Sequence, residues 1–295
     1  MTNTTINKLV IIGVGLIGGS FAMALRQADA VKHIVGVGRS PENMQRALDQ
    51  GVIDEIAVDM GAALQQADCV LLAMPVGQIE RIMVQIAPHL QTSTIITDAG
   101  STKQDVIAAA RHHLKPEHLT HFVPGHPIAG AEQSGVSAAK ADLFLDKHVI
   151  LTPLTETCPE ATQTVTHLWQ ACGATVSQMA ADEHDTVLAA TSHLPHILAF
   201  ALMNHLHTSA EESPENLLRF AGSGFRDFTR IASSSPEMWR DICIANRHAL
   251  LAQMNAYQGE MDSLREILVK NDGKALEEAF SQARGVRDDW LRGKD

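Results

Sequence analysis

Cysteine, aromatic side chains and positive charge are all in short supply in this chain, and each shortage closes off a class of function. The four cysteines, Cys69, Cys158, Cys172 and Cys243, are scattered and form no CxxC pair, so neither a disulfide framework nor a thiolate metal site is expected. Aromatic residues make up 4% of the 295 positions, too few for base-stacking platforms. Lysine and arginine number 23 against 34 aspartate and glutamate, a formal net charge of -11. That balance argues against nucleic acid and anionic membrane as partners, and an anionic ligand would need a local basic clamp. No HExxH is present, and Pro195 splits the spacing of His193, His196, His205 and His207; no metal is expected. No unbroken apolar stretch reaches the roughly 18 residues of a membrane span. The opening Met1 to Asn7 is polar rather than signal-like, so the expected location is the cytoplasm.

Apolar residues are plentiful, at 45%, which suits one large or two ordinary cored domains. Short apolar runs at Lys8–Gly13, His33–Gly38, Cys69–Ala73, Thr94–Asp98, His121–Gly125, His148–Thr152 and Ala174–Met179 alternate with helix-period stretches such as Gly18–Gln27, Pro41–Gln50 and Lys103–His113. Several runs are almost continuous in Val, Ile and Leu, as in strands buried on both faces. The alternation predicts an α/β fold built on a mostly parallel, doubly wound sheet of Rossmann type. From Asp182 onward the pattern is helical. It predicts one apolar helix over Asp182–His207 kinked at Pro195, breaks at Ser213-Pro214, and a helix opened by Ser235 as N-cap with Pro236 at its first position. The domain boundary is placed near residue 181, giving a dinucleotide-binding domain over 1–181 and a helical domain over 182–295.

The turn Gly13-Val14-Gly15-Leu16-Ile17-Gly18 follows the first strand-like run and opens the first helix. Gly13 permits the tight turn, and Gly15 lets the backbone approach a pyrophosphate sitting on the helix N-terminus. The motif alone is weak; its place inside a βαβ unit strengthens it. The next run ends Gly38-Arg39-Ser40, where an NAD-selective site usually carries Asp or Glu for the ribose 2′-hydroxyl. A guanidinium can pair with a 2′-phosphate and a hydroxyl can donate to it, so NADP is the expected cofactor, with NAD possible.

Three further segments fall at expected strand ends, where ligands of open α/β sheets bind. Met74-Pro75 should cross beneath the cofactor. Ser101 stands at a strand-to-helix turn, where it can be a helix N-cap and can also orient the ring of His126 or contact the nicotinamide amide. His126 lies in Gly125-His126-Pro127, with little backbone freedom; a neutral imidazole there can take a hydroxyl proton near pH 7. In the helical part His193 and His196 can share one helix face. Asp227 can steady Arg230 while its guanidinium faces an anion.

The motifs Gly13–Ser20, Asp98–Lys103, Gly125–Gly135, Ser192–His196 and Phe225–Ala232, in that order, resemble the prephenate/arogenate (cyclohexadienyl) dehydrogenase family over nearly the whole chain. The resemblance implies a Rossmann-type domain followed by an all-α dimerisation domain, a homodimer, and a small dicarboxylate substrate. The implied reaction is oxidative decarboxylation of prephenate, or of arogenate, with NAD(P). By the same resemblance His126 is the catalytic histidine, Ser101 the serine that supports it, and Arg230 the carboxylate-binding arginine. His184, Ser192, His193, His196, Glu132 and Trp239 match positions that line or gate the pocket. A β-hydroxyacid dehydrogenase or imine reductase shares the plan, but the hydroxyacid enzymes use a helix lysine, and this chain has none between Lys147 and Lys270.

Overall fold

A computed structural model describes residues 5–130, 133–209 and 218–293. Glu132 and the predicted break at Ser213-Pro214 lie outside the described residues. By compactness the chain separates into Met1–Arg247 and His248–Asp295.

The first unit opens with β1 (Ile6–Ile12), α1 (Leu16–Gln27), β2 (Val31–Val37), α2 (Pro41–Asp49), a two-residue β3 (Glu55–Ile56), α3 (Met60–Leu64) and β4 (Cys69–Leu72). It continues through α4 (Ile79–Ile86), β5 (Ile95–Asp98), α5 (Gln104–His113), α6 (Pro116–Leu119) and β6 (Phe122–Val123). These six strands form one sheet in the order β3-β2-β1-β4-β5-β6, parallel throughout. Leu9, Ile11, Cys69 and Leu71 face one core with Phe21, Leu25 and Trp169. Val10, Ile12, Val70 and Leu72 face the other with Met83, Ile86 and Val106. A period of two on a sheet covered on both sides makes every position apolar, which is why these strands read as unbroken runs. Each fully buried Leu, Ile or Val contributes roughly 1.5–3 kcal/mol.

The apolar run at His121–Gly125 is in fact two strands. Proline has no N–H to continue a ladder, and at Pro124 the chain leaves β6 and begins β7 (Gly125–Pro127) in a second sheet. There β7 pairs antiparallel with β8 (His148–Leu151), which pairs parallel with β9 (Thr175–Gln178); α7 (Pro159–Ala171) joins β8 to β9. The last two predicted strands, together with Gly125–Pro127, therefore form a separate small sheet.

Beyond β9 the described elements are helical. The predicted long helix runs as α8 (Ala181–Leu188), a wide π-type turn over Ala189–His193, and α9 (Leu194–Ser209). The disturbance falls one turn before Pro195, where the missing N–H would otherwise strand a carbonyl four residues back. This helix, Ala181–Thr208, is long and apolar enough to cross a membrane by length and composition, contrary to the sequence expectation. A count of unbroken apolar residues stops at Thr, Ser and His, which carry no fixed charge. After it come α10 (Ser223–Thr229) and α11 (Pro236–Ala245), the latter capped by Ser235, whose Oγ accepts from Met238 N. The second unit is a helical pair, most of α12 (Arg247–Val269) with α13 (Gly273–Arg292), whose N-cap Asp272 accepts from Ala275 N.

Candidate active site

The strand order reverses direction between β1 and β4, and a ligand crevice forms outside the strand ends at such a point. Gly13 and Gly18 are demanded by the protein itself. Gly13 has φ +99°, and a Cβ there would meet Ala73 O at 2.6 Å; one on Gly18 would meet Gly13 O at 2.4 Å. Gly15 is different: a Cβ would meet nothing within 4 Å. The bare backbone at Gly15 therefore leaves an open cradle at the N-terminus of α1, where Leu16 and Ile17 begin the helix. An anionic pyrophosphate fits that combination of free N–H groups and positive helix end. Met74 and Pro75 follow β4 along the same edge and are half-buried.

Arg39 and Ser40 are exposed at the end of β2. Ser40 is already engaged: its Oγ accepts from Asn43 N at 3.1 Å, capping α2, and donates to Glu42 Oε2 at 2.9 Å.

His126 lies in the middle of β7, opposite Ile150, and is 9% exposed. Its strand is tied to the end of β5 by a buried ion pair. Lys103 and Asp98 are fully buried; Lys103 Nζ donates to Asp98 Oδ2 and, at 2.7 Å, to Gly125 O. Gly100 N and Gly125 N donate to the same carboxylate.

The ring of His126 belongs to a longer chain of contacts. His126 Nδ1 is 2.9 Å from His184 Nε2, and His184 Nδ1 is 2.8 Å from Asp185 Oδ1. Asp185 also accepts from Lys103 N at 2.8 Å and Gln104 N at 2.9 Å, capping α5, which has no side-chain cap of its own. Burial alone would raise the Asp185 carboxyl, but the donors His184, Gln104 N and Lys103 N hold it below the ordinary carboxylate range. His126 is pushed well below the usual imidazole range, first by burial, then by His184, Lys103 and His193. It is neutral at pH 7.

His193 is buried beside this group. Asn246 Nδ2 approaches Asp185 O at 2.7 Å and His193 Nδ1 at 3.1 Å. A carbonyl only accepts, so the amide nitrogen donates in both contacts. Neutral His193 then carries its proton on Nε2. Burial lowers it to about 4, and that Nε2, like Trp239 Nε1, is buried without a protein partner among the described residues. His196 stacks on Trp239 with ring centroids 3.6 Å apart, while His193 meets the same ring edge-on at 6.0 Å. His196 Nδ1 donates to Ser192 O at 2.9 Å. Burial lowers His196, and the Arg230 guanidinium lowers it further. Arg230 lines an adjacent cavity of about 490 Å³ with Arg226, Phe200, Met203, Asn204 and Thr229.

The structure thus gathers His126, His184, His193, His196, Trp239 and Arg230 into one linked set. Ser101 is half-buried between β5 and α5; the helix begins at Gln104, so Ser101 is not its N-cap. Among the described residues no hydrogen bond joins Ser101 to His126. Sequence reasoning passed over Asp185 and Asn246. Lys103 and Asp98 stood within a quoted motif, where an aspartate and a lysine five apart were the available signal. Among the described residues no group of three or more His, Cys, Asp or Glu is placed to hold a metal ion.

A parallel sheet ordered 3-2-1-4-5-6, a glycine cradle at its switch point and a neutral buried histidine at the same edge define a dinucleotide-dependent oxidoreductase. Residues 21–178 match the family model described as prephenate dehydrogenase, nucleotide-binding domain, and residues 180–282 the one described as prephenate dehydrogenase, dimerization domain. The chain belongs to the prephenate dehydrogenase family. It is 38% identical over 283 residues to the prephenate dehydrogenase of Bacillus subtilis (strain 168), covering 96% of this chain and 76% of that one. To the cyclohexadienyl dehydrogenase of Zymomonas mobilis it is 36% identical over 286 residues, covering 96% of both. The crystal structure of prephenate dehydrogenase from A. aeolicus in complex with hydroxyphenyl propionate and NAD+ superimposes with TM-score 0.89 at 35% identity, over 96% of this chain and 98% of that one.

Proposed function

We propose that this chain converts prephenate to 4-hydroxyphenylpyruvate by oxidative decarboxylation, a step of tyrosine biosynthesis, using NADP in preference to NAD. The observation that carries the reading is His126: a neutral, buried imidazole whose Nδ1 is engaged by His184, leaving Nε2 as the acceptor.

Gly13, Gly15, Leu16, Ile17 and Gly18 would hold the pyrophosphate, and Met74, Pro75 and Ser101 would border the nicotinamide. Bound there, the dinucleotide supplies the hydride acceptor. Arg39 supports the preference for NADP: it is exposed at the end of β2 with no carboxylate at its own or the preceding position, and a guanidinium pairs with a 2′-phosphate. His126 Nε2 takes the proton of the ring hydroxyl as a general base, worth about 10²–10⁴-fold in rate. Loss of the ring carboxylate as CO2 then leaves an aromatic ring. Prephenate carries two carboxylates, which suits Arg230 together with the donors His193 Nε2 and Trp239 Nε1, unpartnered among the described residues. His184, His196 and Ser192 complete the wall; Glu132 is assigned to the same pocket by family resemblance.

The same reading assigns 1–181 to dinucleotide binding and 182–295 to substrate binding and homodimerisation, in the cytoplasm, with neither nucleic acid nor membrane as partner. The apolar helix Ala181–Thr208 carries His184, His193 and His196, which fits a helix building a pocket within the assembly. Initial rates with prephenate and arogenate, each with NAD and NADP, test the proposal. Prephenate turnover with the larger kcat/KM for NADP is expected. Faster turnover of arogenate would move the substrate assignment, and preference for NAD would remove the role of Arg39. Dinucleotide binding without turnover of either substrate would contradict the enzymatic reading.

A further inference from the structure

Asp185 never reaches the pocket, yet the hydrogen-bond pattern makes it the residue that decides which nitrogen of His126 is basic. An ionised carboxylate only accepts hydrogen bonds. Asp185 Oδ1, 2.8 Å from His184 Nδ1, therefore requires a proton on that nitrogen. With that one ring proton on Nδ1, His184 has a lone pair on Nε2. His184 Nε2, 2.9 Å from His126 Nδ1, requires the proton of His126 to sit on Nδ1. The lone pair of His126 is left on Nε2. Each assignment follows from the one before, and the first is fixed because Asp185 is itself anchored by Lys103 N and Gln104 N at the head of α5.

We propose that His184 and Asp185 are positioning residues that lock His126 in the Nδ1–H tautomer, so that its Nε2 is always presented as the base. The inference rests on the functional reading above for its kinetic consequence, but not for the tautomer itself. When His126 takes the substrate proton on Nε2, the imidazolium keeps Nδ1–H donating to His184, and the Asp185 carboxylate lies two hydrogen bonds behind it. No proton needs to move beyond His126. The charged and titratable groups facing this imidazole are His184 on α8, Lys103 before α5 and His193 in the π-type turn, with the Asp185 carboxylate behind His184. Only the carboxylate among them favours the imidazolium, and Lys103 is already paired with Asp98. A family histidine and its neighbour thus gain a specific duty in place of general pocket lining.

Three variants and one spectrum test this. His184→Gln keeps an amide oxygen able to accept from Nδ1–H, whereas His184→Phe keeps a ring and removes the acceptor. Asp185→Asn removes the carboxylate charge that stabilises the imidazolium. With prephenate, His184→Phe and Asp185→Asn are expected to lower kcat about 10²-fold or more. His184→Gln should remain within about 10-fold of wild type, and dinucleotide Kd should stay within about 2-fold throughout. Ring ¹⁵N shifts of the wild-type protein, with His126 assigned by its loss in His126→Asn, should show a protonated Nδ1 and an unprotonated Nε2. They should show a mixture in His184→Phe. The proposal is overturned if wild-type His126 carries its proton on Nε2, or if His184→Phe turns over prephenate as fast as wild type. Should the wild type turn over neither prephenate nor arogenate, the functional reading fails, while the ¹⁵N pattern still decides the tautomer.

Discussion

Three imidazoles meet in one buried pocket and carry their protons differently, although nothing in imidazole itself separates them. His126 and His184 hold theirs on Nδ1, and His193 holds its on Nε2. The sorting starts from Asp185, which holds His184 Nδ1, and from Asn246, which holds His193 Nδ1, and His184 Nε2 passes it on to His126 Nδ1. His126 was legible in the sequence because Gly125 and Pro127 restrain it, His193 because helical spacing pairs it with His196, and His184 only through the family resemblance. Asp185 and Asn246 were not legible, since neither belongs to a motif and, apart from the contact of Asp185 with its neighbour His184, the bonds they make span 53 to 82 positions. The sign of the pH effect follows at this scale. Burial favours the uncharged ring, so His126 is protonated only at a pH lower than an ordinary histidine requires. The base stays competent at a pH where a solvent-exposed imidazole would already be mostly charged.

Between elements, the Lys103–Asp98 pair does what no backbone ladder does: it fastens the exit of β5 to the first residue of β7. The strands themselves were readable as apolar runs, and so were the helices between them, to within two residues for α1, α2 and α5. The division into two sheets was not, because a run of apolar residues does not reveal which neighbour it pairs with. Only Pro124 marked the place. Replacing Lys103 with Met leaves a fully buried carboxylate without its cation, and removing one partner of such a pair costs about 3–5 kcal/mol. A markedly lower Tm is expected for Lys103→Met in thermal unfolding followed by circular dichroism. A Tm equal to that of wild type would show that the pair does not secure β7.

At the scale of the molecule the chain has more apolar surface than one copy covers. In the helical pair of the second unit Leu251 is 54% exposed, Met261 45%, Leu268 63% and Phe280 57%, and such patches mark interfaces. This surplus supports the proposed homodimer, as does the match to a dimerization-domain model. Met261→Glu combined with Leu268→Glu should convert a dimer to a monomer in sedimentation velocity; an unchanged sedimentation coefficient would place the interface elsewhere. The net charge of -11 also acts on the whole molecule, since it repels a dicarboxylate at long range. Arg226 and Arg230 line the cavity, and in the proposed function they would supply the local reversal of sign that the composition called for.

All of this depends on His126 acting as a neutral base on the substrate hydroxyl. The direct measurement is kcat/KM for prephenate from pH 5 to 9, for wild type and His126→Asn, at saturating dinucleotide. The expected wild-type profile loses activity only below the ordinary imidazole range, and the variant falls by about 10²–10⁴-fold with that acid limb gone. A variant retaining wild-type kcat/KM with the same acid limb would contradict the account.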